Sequence, residues 1–428
     1  MKVNRTIPPP IRPIEKPLLT PPACILLDNG LPVYPLFSGT QEICKIDFIF
    51  EAGTWQQDVP LQAALTNAML QEGSENYSAG AIAEKFDFYG AYLQHSADHH
   101  SGTVSVIALT KHLPNLLPVI EDMVKRPIFP EKEFETIVTR RKQRFLLENE
   151  KVKVLSQKKF SEALFGAGYP YAQTTKEEDY EKLQRSRLID FYRSFYHSNN
   201  CKIVVSGRFG DDLTVLLNHC FGGNDWGSKT PVRTTPDPNP SPDRKIFVLK
   251  PGAIQSAIRV GKTLVRKDHP DYLPLQVLIT ILGGYFSSRL MTNIREEKGY
   301  TYGIGAHFIT LKKAGYLVIA TEVDKNYEQA TLNEIFLELR RLQQELIGHD
   351  ELERVRQYLL GDYLRDLDGP FALAANFLGV HEYGLDYDFY EKQYRTILTI
   401  TPEKLKQLAE GYLHEDTFHT VIAGRESG

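Results

Sequence analysis

Two side chains in the second half of the chain carry the strongest chemical signal: Arg295 and Tyr302, seven positions apart (302 − 295 = 7), inside the stretch from Gly283 to Gly303. Locally that stretch predicts a glycine turn, then a helix capped by Ser287 or Ser288 with Leu290 and Ile294 on one face. A stop at Gly299 and a strand beginning near Thr301 follow. A guanidinium from the last turn of a helix and a phenol at the mouth of the next strand can converge on one carbonyl oxygen. Two donors aimed at one oxygen are what stabilisation of an oxyanion requires. The same residues also have a structural reading, as a solvated helix arginine and a packing tyrosine.

Other chemistry leaves fainter marks. A helical zinc site needs two histidines at i and i+4 with a carboxylate nearby, and none of the 12 histidines forms such a pair in a helical pattern. The one cluster, His95, Asp98, His99 and His100, reads as an extended segment on which His95 and His99 share a face. On a strand those two stand roughly 13 Å apart, too far to chelate one ion unaided, so structural or solvent-facing histidines are the plainer reading. A zinc peptidase built on His95 and His99 is kept as a third function class. The sequence contains no Gly-x-Ser-x-Gly elbow, and no glycine-rich phosphate loop follows a predicted strand.

The elements that must position these groups are legible from composition and pattern. A chain of 428 residues exceeds one ordinary core, and 42% hydrophobic with 24% charged residues is globular. Fifty basic against 54 acidic residues, net −4, offer no basic face, so nucleic acid is not an expected partner. No apolar run is long enough to span a bilayer and no secretory signal is read at the start, which, with Cys24, Cys44, Cys201 and Cys220 read as reduced thiols, predicts a cytoplasmic protein. Residues 1–22 form a proline-rich arm, and residues 222–245, with Pro236, Pro238, Pro240 and Pro242, form a linker. Between and beyond lie two α+β units, 23–221 and 246–428. They repeat one another: Phe195-Tyr196-His197 before Gly207 matches Tyr412-Leu413-His414 before Gly424, since 414 − 197 = 217 and 424 − 207 = 217. Two homologous halves, each a mostly antiparallel sheet packed with helices, predict a clamshell that encloses a space where ligands bind.

Several segments also occur in a familiar order: Asn29-Gly30-Leu31, Met69-Leu70 to Gly73-Ser74, Gly168-Tyr169-Pro170-Tyr171, Phe195-Tyr196 to Gly207, and Ser288-Arg289-Leu290 to Tyr302. In these the chain resembles the pitrilysin, insulinase and mitochondrial-processing-peptidase family of zinc metallopeptidases, in its short bacterial two-repeat branch. The resemblance implies an inverted zinc motif, His-x-x-Glu-His, on the helix before Met69. There this chain has Ala64, Asn67 and Ala68, which offer neither metal ligands nor a general base. Near the family's later glutamate ligand stand Gln143 and Arg144, with Glu148 and Glu150 beyond. No metal is therefore expected in this chain.

The resemblance further implies that Arg295 and Tyr302 are the family's pair for the substrate carbonyl and the oxyanion, acting in trans. In the family's heterodimeric branch one subunit carries the zinc motif and the other carries the Arg/Tyr pair; this chain resembles the second, with zinc expected on the partner and a peptide as substrate. The family's peptide-binding sheet edge falls at 91–97, where Gln94-His95 replaces its Asn-Ala pair. The long glycine-rich loop of the mitochondrial α-subunit is missing after Gly283-Gly284, so no presequence-reading role is expected. The alternative expectation is a catalytically inert scaffold or peptide-binding protein.

Overall fold

In the computed structural model of the protein, residue 6 and residues 19–232 and 236–424 are described, so most of the arm assigned to 1–22 lies outside the described residues. Strand-forming runs assemble two sheets. The first contains β1 (Ile25–Leu26), β2 (Pro32–Phe37), β3 (Ile43–Phe50), β4 (Tyr92–Ala97), β5 (Gly102–Leu109) and β6 (Cys201–Gly207), in the order β1-β2-β6-β3-β5-β4. The second contains β7 (Lys245–Leu249), β8 (Gln255–Leu264), β9 (Thr301–Thr310), β10 (Gly315–Asp324) and β11 (His419–Gly424), in the order β7-β11-β8-β10-β9. Apart from the short β1, the two orders correspond strand for strand. Each sheet has one parallel pair, β2 with β6 and β7 with β11, and its other pairs are antiparallel. The chain is thus α+β and built from two copies of one unit.

Alternation along the strands sends side chains to both faces, and both faces are apolar. In the first sheet Ile46, Phe48, Phe50, Ile203 and Val205 point to the repeat's own helices, among them Gln62–Met69 and Leu113–Lys125. Leu36, Ile49 and Val204 point the other way and meet Ala374 and Phe377, which belong to helix Pro370–His381 of the second repeat. The second sheet answers in kind. Ile258, Val260, Leu317 and Ile319 pack on that repeat's own helices, whereas Val318 and Val421 meet Phe160, Ala163 and Leu164 of helix Val152–Phe165 from the first repeat. Each repeat therefore lends one helix to the other's sheet, and the lent helices start within one residue of the repeat's offset of 217 (370 − 152 = 218). The proline-containing segment between the repeats runs along the end of the first lent helix, where Asn239 N–H donates to Phe165 O at 2.9 Å and Ser241 N–H to Ala163 O at 2.9 Å.

Several elements differ from the pattern reading. Residues 177–195, whose apolar spacing reads as one continuous helix, form two, Glu177–Lys182 and Arg185–Phe195, broken where Leu183 turns into the core. Helices Asp212–Phe221 and Asp388–Thr399 were not marked by periodicity alone. Phe377 is 6% exposed and belongs to the seam that holds a lent helix. Phe377→Ala should lower unfolding free energy by about 3–5 kcal/mol, read by urea denaturation; a loss under about 1 kcal/mol would mean the seam does not hold the repeats together.

Candidate functional site

Arg295 and Tyr302 come together at one end of the second sheet, by two irregular devices. The helix that carries Arg295 is not the serine-capped α-helix expected from its sequence. It is wound as a π-helix over Met291–Glu297, and the Ser288 hydroxyl is buried without a hydrogen-bond partner. Wide turns of this kind are rare and concentrate at functional sites. Beyond its end, Gly299 takes the positive φ of 65° that the stop requires, and Tyr300 N–H reaches back to Ile294 O at 3.0 Å. A preceding π turn, Thr280–Gly284, lies so close to β9 that a Cβ on Gly283 would stand 2.6 Å from the Ala306 nitrogen, and glycine permits that approach.

Tyr302 is lifted by a bulge. The ladder of β9 and β10 pairs Ile304 with Thr321 and Thr301 with Val323, leaving Tyr302 and Gly303 together opposite Glu322. Bulges re-aim side chains, and here the Tyr302 side chain stands 93% exposed. Thr301 fixes the distortion: its hydroxyl contacts Gly303 O at 3.0 Å and Glu322 O at 2.8 Å, and Thr321 Oγ1 lies 2.9 Å from it.

The Arg295 guanidinium lies over the Tyr302 ring, 5.5 Å from its centroid, and over the Phe286 ring, 4.6 Å from its centroid. Among the described residues Arg295 makes no hydrogen bond and no ion pair, and the Tyr302 hydroxyl is likewise unengaged. The contrast with Arg289 is informative: six residues earlier (295 − 289 = 6), it is held in a two-point pair with Glu351 at 2.8 Å and 2.8 Å. Aromatic faces attract the cation without using its N–H groups. All five of its N–H donors are therefore unused among the described residues, beside a phenol hydroxyl that is likewise unengaged. Phe286 escaped the sequence reading; its signal was an aromatic directly after a Gly-Gly-Tyr turn with no helical face to join.

The degenerate positions lie on helix Gln62–Met69, with Ala64 half-buried and Asn67 and Ala68 buried. Asn67 donates its side-chain amide to the Tyr196 hydroxyl at 3.1 Å, while its amide oxygen is buried without a partner. His95 of β4 comes in beside it. Both ring nitrogens of His95 are buried and unpartnered, and burial pushes its pKa down to about 4, against a small upward pull from the Asn67 backbone. These residues do not fit a zinc ion: the alanines have no lone pair, and the asparagine is committed to a tyrosine. Of the later carboxylates, Glu148 pairs with Lys151 at 2.7 Å and Glu150 with Lys250 at 2.6 Å. Among the described residues no three His, Cys, Asp or Glu side chains gather as a metal site.

His99 does not continue the strand face of His95, as the extended reading assumed. β4 ends at Ala97, and Asp98 closes a tight turn by accepting from the backbone of His100 at 2.6 Å and Ser101 at 2.7 Å. His99 turns instead to the Thr54 hydroxyl at 3.2 Å.

Three comparisons bear on kinship. Residues 182–359 match the family described as Peptidase M16 inactive domain. Over those residues the chain is similar to the M16, pitrilysin-type, peptidases. The chain is 24% identical over 303 residues to an uncharacterized zinc protease, YmxG, of Bacillus subtilis, covering 70% of this chain and 73% of that one. It is 22% identical over 315 residues to the non-peptidase homolog YmxG of Helicobacter pylori, covering 70% and 69%. Its fold superposes on the crystal structure of a peptidase M16 inactive domain from Pseudomonas fluorescens with a TM-score of 0.86 at 21% identity, over 95% of this chain and 99% of that one. No helix among the described residues is long and apolar enough to cross a membrane.

At the junction of the two repeats sits a titratable latch. Lys313 N–H, in the turn between β9 and β10, donates to the Tyr171 hydroxyl at 2.9 Å, and that hydroxyl stands 2.7 Å from His100 Nε2. A neutral His100 can accept the phenolic hydrogen; a protonated one cannot. Burial and the nearby Lys312, helped by His99 and Lys313 and opposed by Asp98, push His100 down to about 4, and burial also lowers His99. The unfolded chain binds these protons near pH 6.5, so it holds more protons than the folded chain between about 6.5 and 4. Stability is then full above that window and lost as pH falls through it. His100→Gln keeps an acceptor and removes the titration, so its melting temperature should fall less steeply than the parent's between pH 7 and 4.5. Parallel curves would exclude His100 as a contributor.

Proposed function

We propose that this chain is the non-metal-binding subunit of a two-subunit M16 metalloendopeptidase. It acts in trans to a partner with an intact His-x-x-Glu-His site, which holds the zinc and activates the water. The observation that carries this reading is an arginine with no polar partner among the described residues, resting over two rings, next to a tyrosine that a bulge lifts into solvent. An idle surface arginine ordinarily pairs with a carboxylate or is solvated at random. Here the cation is held in place and its donors are left unused, the arrangement a site needs to meet an acceptor without first breaking other bonds.

In this reading Arg295 donates to the carbonyl oxygen of the peptide bond to be cut. Tyr302 donates its hydroxyl hydrogen to the same oxygen as it becomes an oxyanion, and neither residue transfers a proton at neutral pH. The clamshell supplies the enclosure for an extended peptide. Four free cysteines, three of them buried, support placing the protein in the cytoplasm.

A second reading, a catalytically inert scaffold or peptide-binding protein, is favoured by the lost ligand chemistry at Ala64, Asn67 and Ala68 and by the name of the Helicobacter pylori relative. Co-purification from the native cell, followed by peptide cleavage by each chain alone and by the mixture, separates the two. The subunit reading expects a partner with His-x-x-Glu-His and cleavage only by the mixture. In that complex Tyr302→Phe should leave assembly intact and lower turnover on the order of 10²–10³-fold; unchanged turnover would discard the role. The isolated chain should hold no stoichiometric zinc after dialysis, by elemental analysis, and retained zinc would point back to a site on this chain.

A further inference from the structure

Phe286 has no structural occupation that explains it. It is 62% exposed, belongs to none of the hydrophobic clusters, and its one ring contact among the described residues is with Arg295. Its neighbour Tyr285 turns inward, packing against the core and onto Tyr358 at 5.1 Å between ring centroids. Ser288 N–H closes the turn onto Tyr285 O at 3.1 Å, which leaves the Phe286 ring pointing out. The ring gains nothing from the core, and the contact it does make is with the Arg295 guanidinium, 4.6 Å from its centroid.

We propose that Phe286 is a positioning residue that holds the Arg295 guanidinium in its carbonyl-binding orientation, an inference that rests on the subunit reading above. The chemistry fits. A guanidinium that lies over a ring interacts through the ring's quadrupole, so its N–H edges stay free for an acceptor approaching in its own plane. The Phe286 contact is the shorter of the two, 4.6 Å against 5.5 Å to Tyr302, so the arginine keeps its platform when the Tyr302 hydroxyl is drawn to substrate. Arg295 is thereby pre-oriented without a carboxylate that would compete with the carbonyl.

The test has two arms. In the chain alone, the Arg295 Nε–H resonance is identified by its disappearance in Arg295→Lys. It should lie upfield of the other exposed arginines through the ring currents, remain there in Phe286→Tyr, and move downfield in Phe286→Leu. In the complex with the co-purified partner, Phe286→Leu should lower kcat/KM on the order of two- to fivefold, the size of an exposed cation–π contact. Phe286→Tyr should restore it, and Phe286→Leu should cost nothing further when Arg295 is already alanine. A resonance that Phe286→Leu leaves in place overturns the proposal, as does a turnover that falls equally in Phe286→Tyr and Phe286→Leu. If Arg295→Lys and Tyr302→Phe leave turnover unchanged, the subunit reading fails. The resonance then still decides whether Phe286 holds the arginine.

Discussion

The structure depends on one constraint: each sheet is apolar on both faces, while each repeat has its main helical layer on only one of them. The other face must be covered from elsewhere. Here the cover is reciprocal, helix Val152–Phe165 on the second sheet and helix Pro370–His381 on the first. Burial of side chains such as Phe160 and Phe377 is worth about 1.5–3 kcal/mol each, and every such contact is also a contact between repeats. What completes each core is the same interaction that orients the two halves. The end of the second sheet that carries Arg295 and Tyr302 is therefore fixed relative to the first repeat, without a separate hinge element to place it.

At that end the chain departs from regular geometry twice within a dozen residues, at the π-wound Met291–Glu297 and at the bulge of Tyr302 and Gly303. Regular winding and regular pairing would fix both side chains by period alone. The irregularities turn them toward each other, and Thr301, with three hydroxyl contacts, fastens the second one in place. Nothing comparable is found around Ala64, Asn67 and Ala68 of the first repeat. There Asn67 is spent on Tyr196, and His95 is buried against it with both nitrogens idle. The two repeats share one topology, yet the helix of Asn67 is packed shut in the first while Tyr302 stands exposed in the second.

The strand and helix periods, the 217-residue offset between Gly207 and Gly424 and the spacing of Arg295 to Tyr302 were all legible in the sequence, because each is a one-dimensional pattern (424 − 207 = 217). The features that escaped depend on three dimensions. Ser288 has a capping side chain, yet the tertiary approach of the π turns leaves its hydroxyl unused. The alternation through His95 predicted that His99 would follow on the same face, but Asp98 captured the backbone first and ended the strand. Phe286 could not be read because its partner lies across a turn, and the lending of helices could not be read because amphipathic pattern says which face is buried and not whose sheet buries it.

The exchange of helices has a consequence for synthesis. The first sheet has all its strands once Gly207 has left the ribosome, yet its second apolar face has no cover until His381 follows, 174 residues later (381 − 207 = 174). At roughly 5–20 residues per second, that face is bare for about 9–35 s in every new chain. During that interval Leu36, Ile49 and Val204 form a ready acceptor for any amphipathic helix nearby. The helix lent across the seam thus ties the first repeat's maturation to residues made 174 positions later (381 − 207 = 174).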